Sequence, residues 1–109
     1  MLNPYLIGDL AGFAPQIGRL VGMMEYARRT TLAAVEGLDR EQLDHLHDPH
    51  SNSIGALLAH IAAVELAYQL GTLAGRGLTE AESRRWGPAL QLGATGRARI
   101  RGHELEHYL

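Results

Sequence analysis

The first part of the chain places apolar residues at steps of three and four after Pro15. Such a spacing lines one face of an α-helix, because about 3.6 residues make one turn. The residues on this face are Ile17, Leu20, Val21, Met24, Ala27, Ala34 and Val35. Proline fits a first helical turn, and glycine often follows a last one. The pattern predicts a long amphipathic helix that starts at Pro15 and ends before Gly37.

A second and more apolar segment reads IGALLAHIAAVELAYQL, over residues 54–70. Only His60, Glu65 and Gln69 are polar in it. At about 100° per residue, the centre of its apolar stripe is formed by Leu57, Ile61, Val64 and Tyr68. We expect a helix this apolar to be buried on most of its circumference, with His60 and Glu65 partly buried at opposite shoulders of the stripe.

Helix caps are predicted at three places. Asp39 with Gln42, and Thr79 with Glu82, have the three-residue spacing of a capping box. A serine or asparagine within residues 51–53 can cap the apolar helix. These signals predict a short helix in DREQLDHL and a further helix that begins in TEAE.

Breaks and loops are predicted from glycine and proline. GTLAGRG and LGATGRA have the composition of loops, and Gly87 with Pro88 is expected to interrupt the helix that contains them. The final RIRGHELEHYL looks like the start of another helix. Whether the chain ends naturally at Leu109 is left open by the sequence.

Composition favours a single all-helical domain over residues 1–109. The apolar share is 46%, and it rests on aliphatic residues that are mostly good helix formers. A net charge of −2 and a pI near 6.3 predict no general attraction to nucleic acids or anionic membranes. We interpret the arginines late in the chain as a solvated face rather than as an anion site; they are Arg84, Arg85, Arg97, Arg99 and Arg101.

The chain has no cysteine, so a disulfide, a thiolate nucleophile and a cysteine-ligated zinc are all excluded. Any thiol chemistry needs a thiol from solution. The stretch MLNPYLIGDLAGFAP lacks the basic region of a secretory signal, and its apolar run is too short to span a bilayer. We therefore expect a cytoplasmic location and no membrane partner.

Histidines are the candidates for chemistry. An imidazole at the position of His60 must find a partner, and from the pattern alone a hydrogen-bonded core residue is favoured over a metal ligand. His45, His47 and His50 surround a loop with Asp48 and Pro49, so we interpret them as surface residues.

The stretch HELEH, from His103 to His107, fits the H-E-x-x-H pattern of zinc peptidases. On a helix the two histidines would lie one turn apart and could share a zinc ion. A peptidase also needs a third ligand and a substrate cleft, and only Tyr108 and Leu109 follow. A solvated helix face is the favoured interpretation, and the peptidase is the least favoured function.

The stretch MMEYARRTTLAAVEGLDREQLDHLHDPHSNSIGALLAHIAAVELAY resembles the DinB/YfiT-like family of metal-dependent helical proteins. The resemblance extends over residues 15–70 and, less sharply, over the RRWGPALQLGATGRARIRGHELEHYL region. It implies an up-down-up-down four-helix bundle, often a homodimer, with a divalent metal held between helices. The family's second-helix ligand corresponds to His60, with Glu65 as a candidate neighbour in the second coordination shell.

The same resemblance implies a histidine pair on a fourth helix, which would lie beyond Leu109. The expected bundle is therefore incomplete, with three helices, and the ligand role is not transferred to His103 or His107. Some members of the family resemble transferases or isomerases that use a low-molecular-weight thiol.

The favoured hypothesis is a metal-dependent enzyme, with zinc or nickel held by His60 and an unassigned reaction. A non-catalytic helical module that self-associates is the alternative. Whether this chain holds the metal at all is left open.

Overall fold

A computed structural model describes residues 11–109, in which all regular secondary structure is helical, without a strand. The predicted all-α class is confirmed, while the up-down-up-down order stays a prediction. The six α-helices are α1 (Pro15–Val35), α2 (Arg40–Asp44), α3 (Ile54–Gln69), α4 (Glu80–Gln91), α5 (Gly93–Arg99) and α6 (Leu105–Tyr108). A π-helical turn, Leu70–Ala74, extends α3. Residues 1–10, which were expected to carry no secretory signal, lie outside the described part.

The chain divides into two compact units, Met1–Gly37 and Leu38–Leu109. The first contains α1, whose predicted bounds are confirmed: Pro15 is its first residue, and Gly37 follows its end with a φ of 79°. In the second unit α2, α4 and α6 all pack against α3, and α5 packs against α4. The buried apolar residues of this unit are Leu43, Ala56, Leu58, Ala63 and Ala89.

The predicted caps are confirmed. The Asp39 side chain accepts from the Gln42 amide at 2.8 Å, and the Gln42 side chain accepts in return from the Asp39 amide at 3.0 Å. Thr79 and Glu82 form the same reciprocal pair at the start of α4. Ser53 caps α3 by accepting from the Ala56 amide at 3.0 Å. Each cap satisfies amide groups that a first helical turn leaves without partners.

Two predicted breaks are wrong. Helix α4 continues through Gly87 and Pro88 to Gln91, and the predicted loop LGATGRA is mostly helix α5. A proline inside a helix removes one backbone hydrogen bond. Here the following residue, Ala89, is 6% exposed, and α4 packs along α3. Tertiary packing therefore outweighs the local preference for a break.

The predicted orientation of α3 is also wrong. Leu57, Ile61 and Tyr68 are 44%, 45% and 70% exposed, although they were expected at the centre of the buried stripe. The buried residues are Gly55, Ala56, Leu58 and Ala63, which lie around the other side of the helix. Small side chains let α2, α4 and α6 approach α3 closely, so this side is covered and the larger apolar side is not.

The predicted loop GTLAGRG begins with the π-helical turn, which Gly75 ends with a φ of 65°. Together, α3 and this turn form one helical stretch, Ile54–Ala74, long and apolar enough to cross a bilayer, with a mean hydropathy of 1.4. The core helix of a soluble protein meets the same criterion, so length and composition alone decide little here.

Candidate functional site

His60 lies in the second turn of α3 and is partly buried, as the sequence predicts. Its Nδ1 is 2.7 Å from the carbonyl oxygen of Ala89 in α4. Because a carbonyl oxygen only accepts hydrogen bonds, Nδ1 must carry the proton. In the neutral form of such a ring Nε2 is unprotonated, and its lone pair is available to a metal.

The hydrogen bond between these helices follows from where α4 ends. The last carbonyl groups of a helix have no amide partner within it. Ala89 is two residues from the end of α4 at Gln91, and the backbone reverses at Leu92, where φ is 55°. His60 supplies a donor to a carbonyl that a longer helix would have used internally.

The geometry of His60 suits one metal ligand. A histidine that binds a metal through one nitrogen commonly donates its other N–H to a carbonyl or carboxylate, which orients the ring. Among residues 11–109, however, no group of three or more histidine, aspartate or glutamate side chains is arranged to hold a metal ion. The described residues thus offer a suitable single ligand but not a closed three-ligand site.

Glu65 was the predicted neighbour of His60 in the second coordination shell. It is partly buried on α3, but five residues of helix place it about 140° around the axis from His60. His60 Nδ1 donates to the Ala89 carbonyl instead. No local signal near His60 indicates this partner, which is 29 residues away.

The HELEH stretch does not form one helical turn. Gly102 has a φ of 82°, and α6 begins only at Leu105, so His103 precedes the helix. The His103 and His107 rings are stacked, with centroids 3.7 Å apart and planes 11° apart. The expected continuous helix over RIRGHELEHYL is therefore wrong, and the i, i+4 spacing does not produce a chelating pair.

Stacked imidazoles cannot share a metal in this arrangement. A ring nitrogen binds zinc in the plane of its ring at about 2.0–2.1 Å, whereas two nearly parallel planes do not meet at such a distance. Glu104, the general base of the peptidase hypothesis, pairs with Arg40 at 3.5 Å on the surface. The geometry of residues 103–107 gives the peptidase hypothesis no support.

The loop histidines are on the surface, as predicted. His45, His47 and His50 are all exposed. The Asp48 carboxylate accepts from the His50 amide at 2.8 Å, and this bond, with a further one from the Ser51 side chain, lowers the pKa of Asp48. The Arg97 guanidinium donates to the His50 carbonyl at 3.2 Å. These contacts stabilise the conformation of the loop. They do not bring its histidine side chains together around a metal site.

Asp44 and Tyr108 form a polar cluster that sequence reasoning missed. Asp44 Oδ2 accepts from the Gly102 amide at 2.8 Å. Asp44 Oδ1 and the Tyr108 hydroxyl are buried, and no partner is present for either in the described part of the chain. Burial, and then the Asp44 carboxylate, raises the pKa of Tyr108.

The Tyr108 ring lies directly on the first turn of α3. A Cβ built on Gly55 would be 2.8 Å from the Tyr108 hydroxyl, so only glycine leaves room for this contact. Gly55, in the first turn of an apolar helix, is the sequence signal that marks the close approach. The contact anchors the C-terminal segment to α3.

Residues 19–102 match the family model described as mycothiol-S-transferase. The matched stretch includes His60 and ends before His103. A comparison with curated proteins found no match.

Proposed function

Because this chain belongs to the mycothiol-S-transferase family, a DinB/YfiT-like group of thiol-related transferases, we propose that it transfers mycothiol to a small electrophile. The observation that supports His60 as the residue at the reacting centre is its 2.7 Å hydrogen bond to the Ala89 carbonyl. That bond orients the ring and keeps Nε2 open.

The chemistry requires a thiolate, because the thiol form is a poor nucleophile. The chain has no cysteine, so the sulfur comes from the low-molecular-weight thiol itself. The S–H proton leaves to solvent, and the sulfur lone pair forms a bond to the electrophilic carbon. The electron pair of the broken bond departs with the leaving group, such as a halide.

We further propose that His60 Nε2 is one ligand of a divalent metal, zinc or nickel. A metal held there would lower the pKa of a thiol bound to it, and this chemistry would supply a thiolate at neutral pH. The role of the chain is to present Nε2 with its ring held by Ala89. The other ligands must come from outside the set that residues 11–109 bring together, and a second copy in a homodimer is the proposed source.

Metal content tests the role of His60. The wild-type chain, His60→Ala and His103→Ala are purified identically, stripped with chelator, reloaded with zinc or nickel and analysed for bound metal. We expect near-stoichiometric metal in the wild type and in His103→Ala, and none in His60→Ala. Metal retained by His60→Ala, or none in the folded wild type, would contradict the proposal.

Thiol consumption tests the reaction. Mycothiol is mixed with an alkyl halide, and the thioether product is followed with and without the chain. We expect a faster reaction with the metal-loaded wild type, and the uncatalysed rate with His60→Ala at equal helicity. If thioether formation is equally fast with the wild-type chain and in buffer alone, for several halides and conjugated electrophiles, the transferase proposal is wrong.

The exposed side of α3 supports the second candidate function, a self-associating module. Leu57, Ile61 and Tyr68 expose large apolar side chains to water on this side of the helix, which water disfavours. In this alternative the dimer forms through α3 and no metal binds. Ile61→Glu should then convert a dimer to a monomer in sedimentation, whereas His60→Ala should not. We propose a cytoplasmic location, without a membrane or nucleic-acid partner, for either function.

A further inference from the structure

The junction between α4 and α5 contains two consecutive residues with positive φ. Leu92 has a φ of 55° and a ψ of −137°, and Gly93 has a φ of 60°. Glycine adopts such angles freely, whereas a residue with a Cβ does so only when its surroundings impose them. A strained leucine at this point is the backbone feature that the proposed function leaves unexplained.

Leu92 takes part in both helices. Its amide donates to the Pro88 carbonyl at 2.9 Å and closes α4, and its carbonyl accepts from the Gly96 amide at 3.0 Å and opens α5. Its side chain packs over Gly96, where an added Cβ would be 3.7 Å from Leu92 Cβ. These contacts hold the leucine in its unfavourable conformation.

The reversal changes which donor reaches the Ala89 carbonyl. In a helix that continued, the amide of residue 93 would bond to the carbonyl of residue 89. The turn at Leu92 and Gly93 ends α4 before that bond, and the Ala89 carbonyl accepts from His60 Nδ1 instead. The place where α4 ends thus leaves the Ala89 carbonyl available to the His60 ring.

We propose that the Leu92–Gly93 reversal is a positioning element, which holds His60 in the Nδ1–H tautomer with Nε2 open. Its importance for catalysis rests on the proposed function, since an open Nε2 matters only if His60 binds metal at the reacting centre. The tautomer itself follows from the backbone and does not depend on that function.

The tautomer can be measured directly by NMR. A ¹⁵N-labelled, chelator-treated chain is studied at pH 9, above the ordinary imidazole pKa of about 6.5. Two-bond ¹H–¹⁵N correlations distinguish a protonated Nδ1 from a protonated Nε2. We expect at least about tenfold more Nδ1–H than Nε2–H for His60, since a bond that contributes about 1.4 kcal/mol gives a factor of ten.

A double variant and a matched control test the role of the reversal. Leu92→Ala with Gly93→Ala favours a continuous helix, whereas Leu92→Gly keeps the reversal without strain. We expect the double variant to lose the Nδ1–H preference and the control to keep it. A double variant with unchanged helicity and an unchanged tautomer would overturn the proposal, as would an Nε2–H tautomer in the wild type.

A backbone ester provides the test if the double variant does not fold. Replacing Leu90 by its α-hydroxy acid turns the Ala89 carbonyl into an ester carbonyl, a weaker acceptor, without changing a side chain. The Nδ1–H preference of His60 should fall. A matched ester at Gln91, which weakens the Leu90 carbonyl instead, should leave it unchanged, and equal tautomer ratios in both esters would contradict the proposal.

Zinc affinity separates this inference from the proposed function. If the tautomer behaves as expected and the wild type binds zinc, the double variant should bind it about tenfold more weakly, while Leu92→Gly stays within about twofold. The expected tautomer in a wild-type chain that binds no zinc would reject the metal proposal and retain the positioning element. Zinc binding with equal affinity in all three chains would reject the positioning element alone.

Discussion

His60 and the His103–His107 pair are the two histidine regions with candidate chemistry, and their surroundings differ. His60 belongs to a 16-residue helix and is fixed by a bond to a second helix. His103 precedes a four-residue helix, and its ring stacks on His107. The region with the stronger sequence motif has the less suitable geometry for metal binding.

The difference shows that residue spacing acquires chemical meaning only on a scaffold of sufficient length. An i, i+4 pair converges when both residues belong to the same regular helix. The histidines of HELEH do not belong to one regular helix, because Gly102 has a left-handed conformation and α6 begins only at Leu105. His60 lies on a long helix, and its hydrogen bond to the Ala89 carbonyl fixes the ring. It is therefore better oriented for metal binding than the histidines of HELEH.

The largest difference is expected between His60→Ala and His103→Ala. His60→Ala removes the donor to a buried carbonyl, so we expect a loss of about 1–3 kcal/mol in the free energy of unfolding. His103→Ala removes a ring that bonds to no backbone group in the described contacts, and should change stability by less than about 0.5 kcal/mol. Urea unfolding checks both, and equal losses would remove the distinction between the regions.

Gly55→Val should disturb the C-terminal region without disturbing His60. The added side chain occupies the place of the Tyr108 hydroxyl, and we expect a loss of about 1–2 kcal/mol. The higher helix propensity of valine recovers only a few tenths of a kcal/mol.

The control for this prediction is Gly55→Val combined with Tyr108→Ala, in which the added valine should cost less than it does alone. NMR signals of His103 and His107 should shift in Gly55→Val, while the His60 tautomer stays unchanged. A change of the His60 tautomer would show that the two regions are coupled.

Tyr108→Phe is expected to increase stability by about 0.5–1 kcal/mol, because it removes a buried hydroxyl without a partner in the described contacts. The raised pKa of Tyr108 also predicts a pH effect. Because the folded state resists ionisation of this hydroxyl more than the unfolded state does, the free energy of unfolding falls as pH rises from the unfolded pKa of about 10 through the folded value.

The urea midpoint of the wild type should therefore fall more steeply above pH 10 than that of Tyr108→Phe. Tyr68→Phe, at an exposed position of α3, is the matched control. Destabilisation by Tyr108→Phe at neutral pH would indicate that the hydroxyl has a hydrogen-bond partner in solution.

The smallest effect is expected from the cap of α4, which carries the Ala89 carbonyl at its other end. The Arg76 guanidinium and then the Thr79 amide lower the pKa of Glu82 to about 2. This lowered pKa contributes stability above the ordinary value of 4.5, and the contribution is lost as pH falls from there towards 2.

Glu82→Gln should flatten the pH dependence of the unfolding midpoint between these two values. The effect is small because the ion pair is solvated and screened by salt. Glu106→Gln, in α6, is the control. An unchanged acid slope in Glu82→Gln would show that the charge of the Glu82 carboxylate contributes nothing to stability.

Local signals explain the parts of the fold that the sequence predicted. Pro15 and Gly37 bound α1, and Asp39 and Thr79 cap the helices that follow them. His60 was recognised as a partly buried residue that needs a partner, but the partner could not be named. These predictions succeed because a cap or a glycine end acts within one helical turn.

The structure corrected the predictions that depend on distant elements. The covered side of α3 depends on α2, α4 and α6, so the apolar stripe did not identify it. The path of α4 through Pro88 likewise depends on packing against α3. A hydrophobic pattern states which residues prefer burial, and only the neighbouring elements determine which of them obtain it.

The sequence by itself determined the helical class, the capped helix starts, the absence of a thiol and the candidacy of His60. Only the tertiary structure decided that His60 donates to Ala89, that His103 stacks on His107 and that Tyr108 lies on Gly55. The physical reason is the range of the interactions. Helix propensity and capping act between residues a few positions apart. The His60 imidazole, in contrast, bonds to the Ala89 carbonyl, which is 29 residues away in the chain.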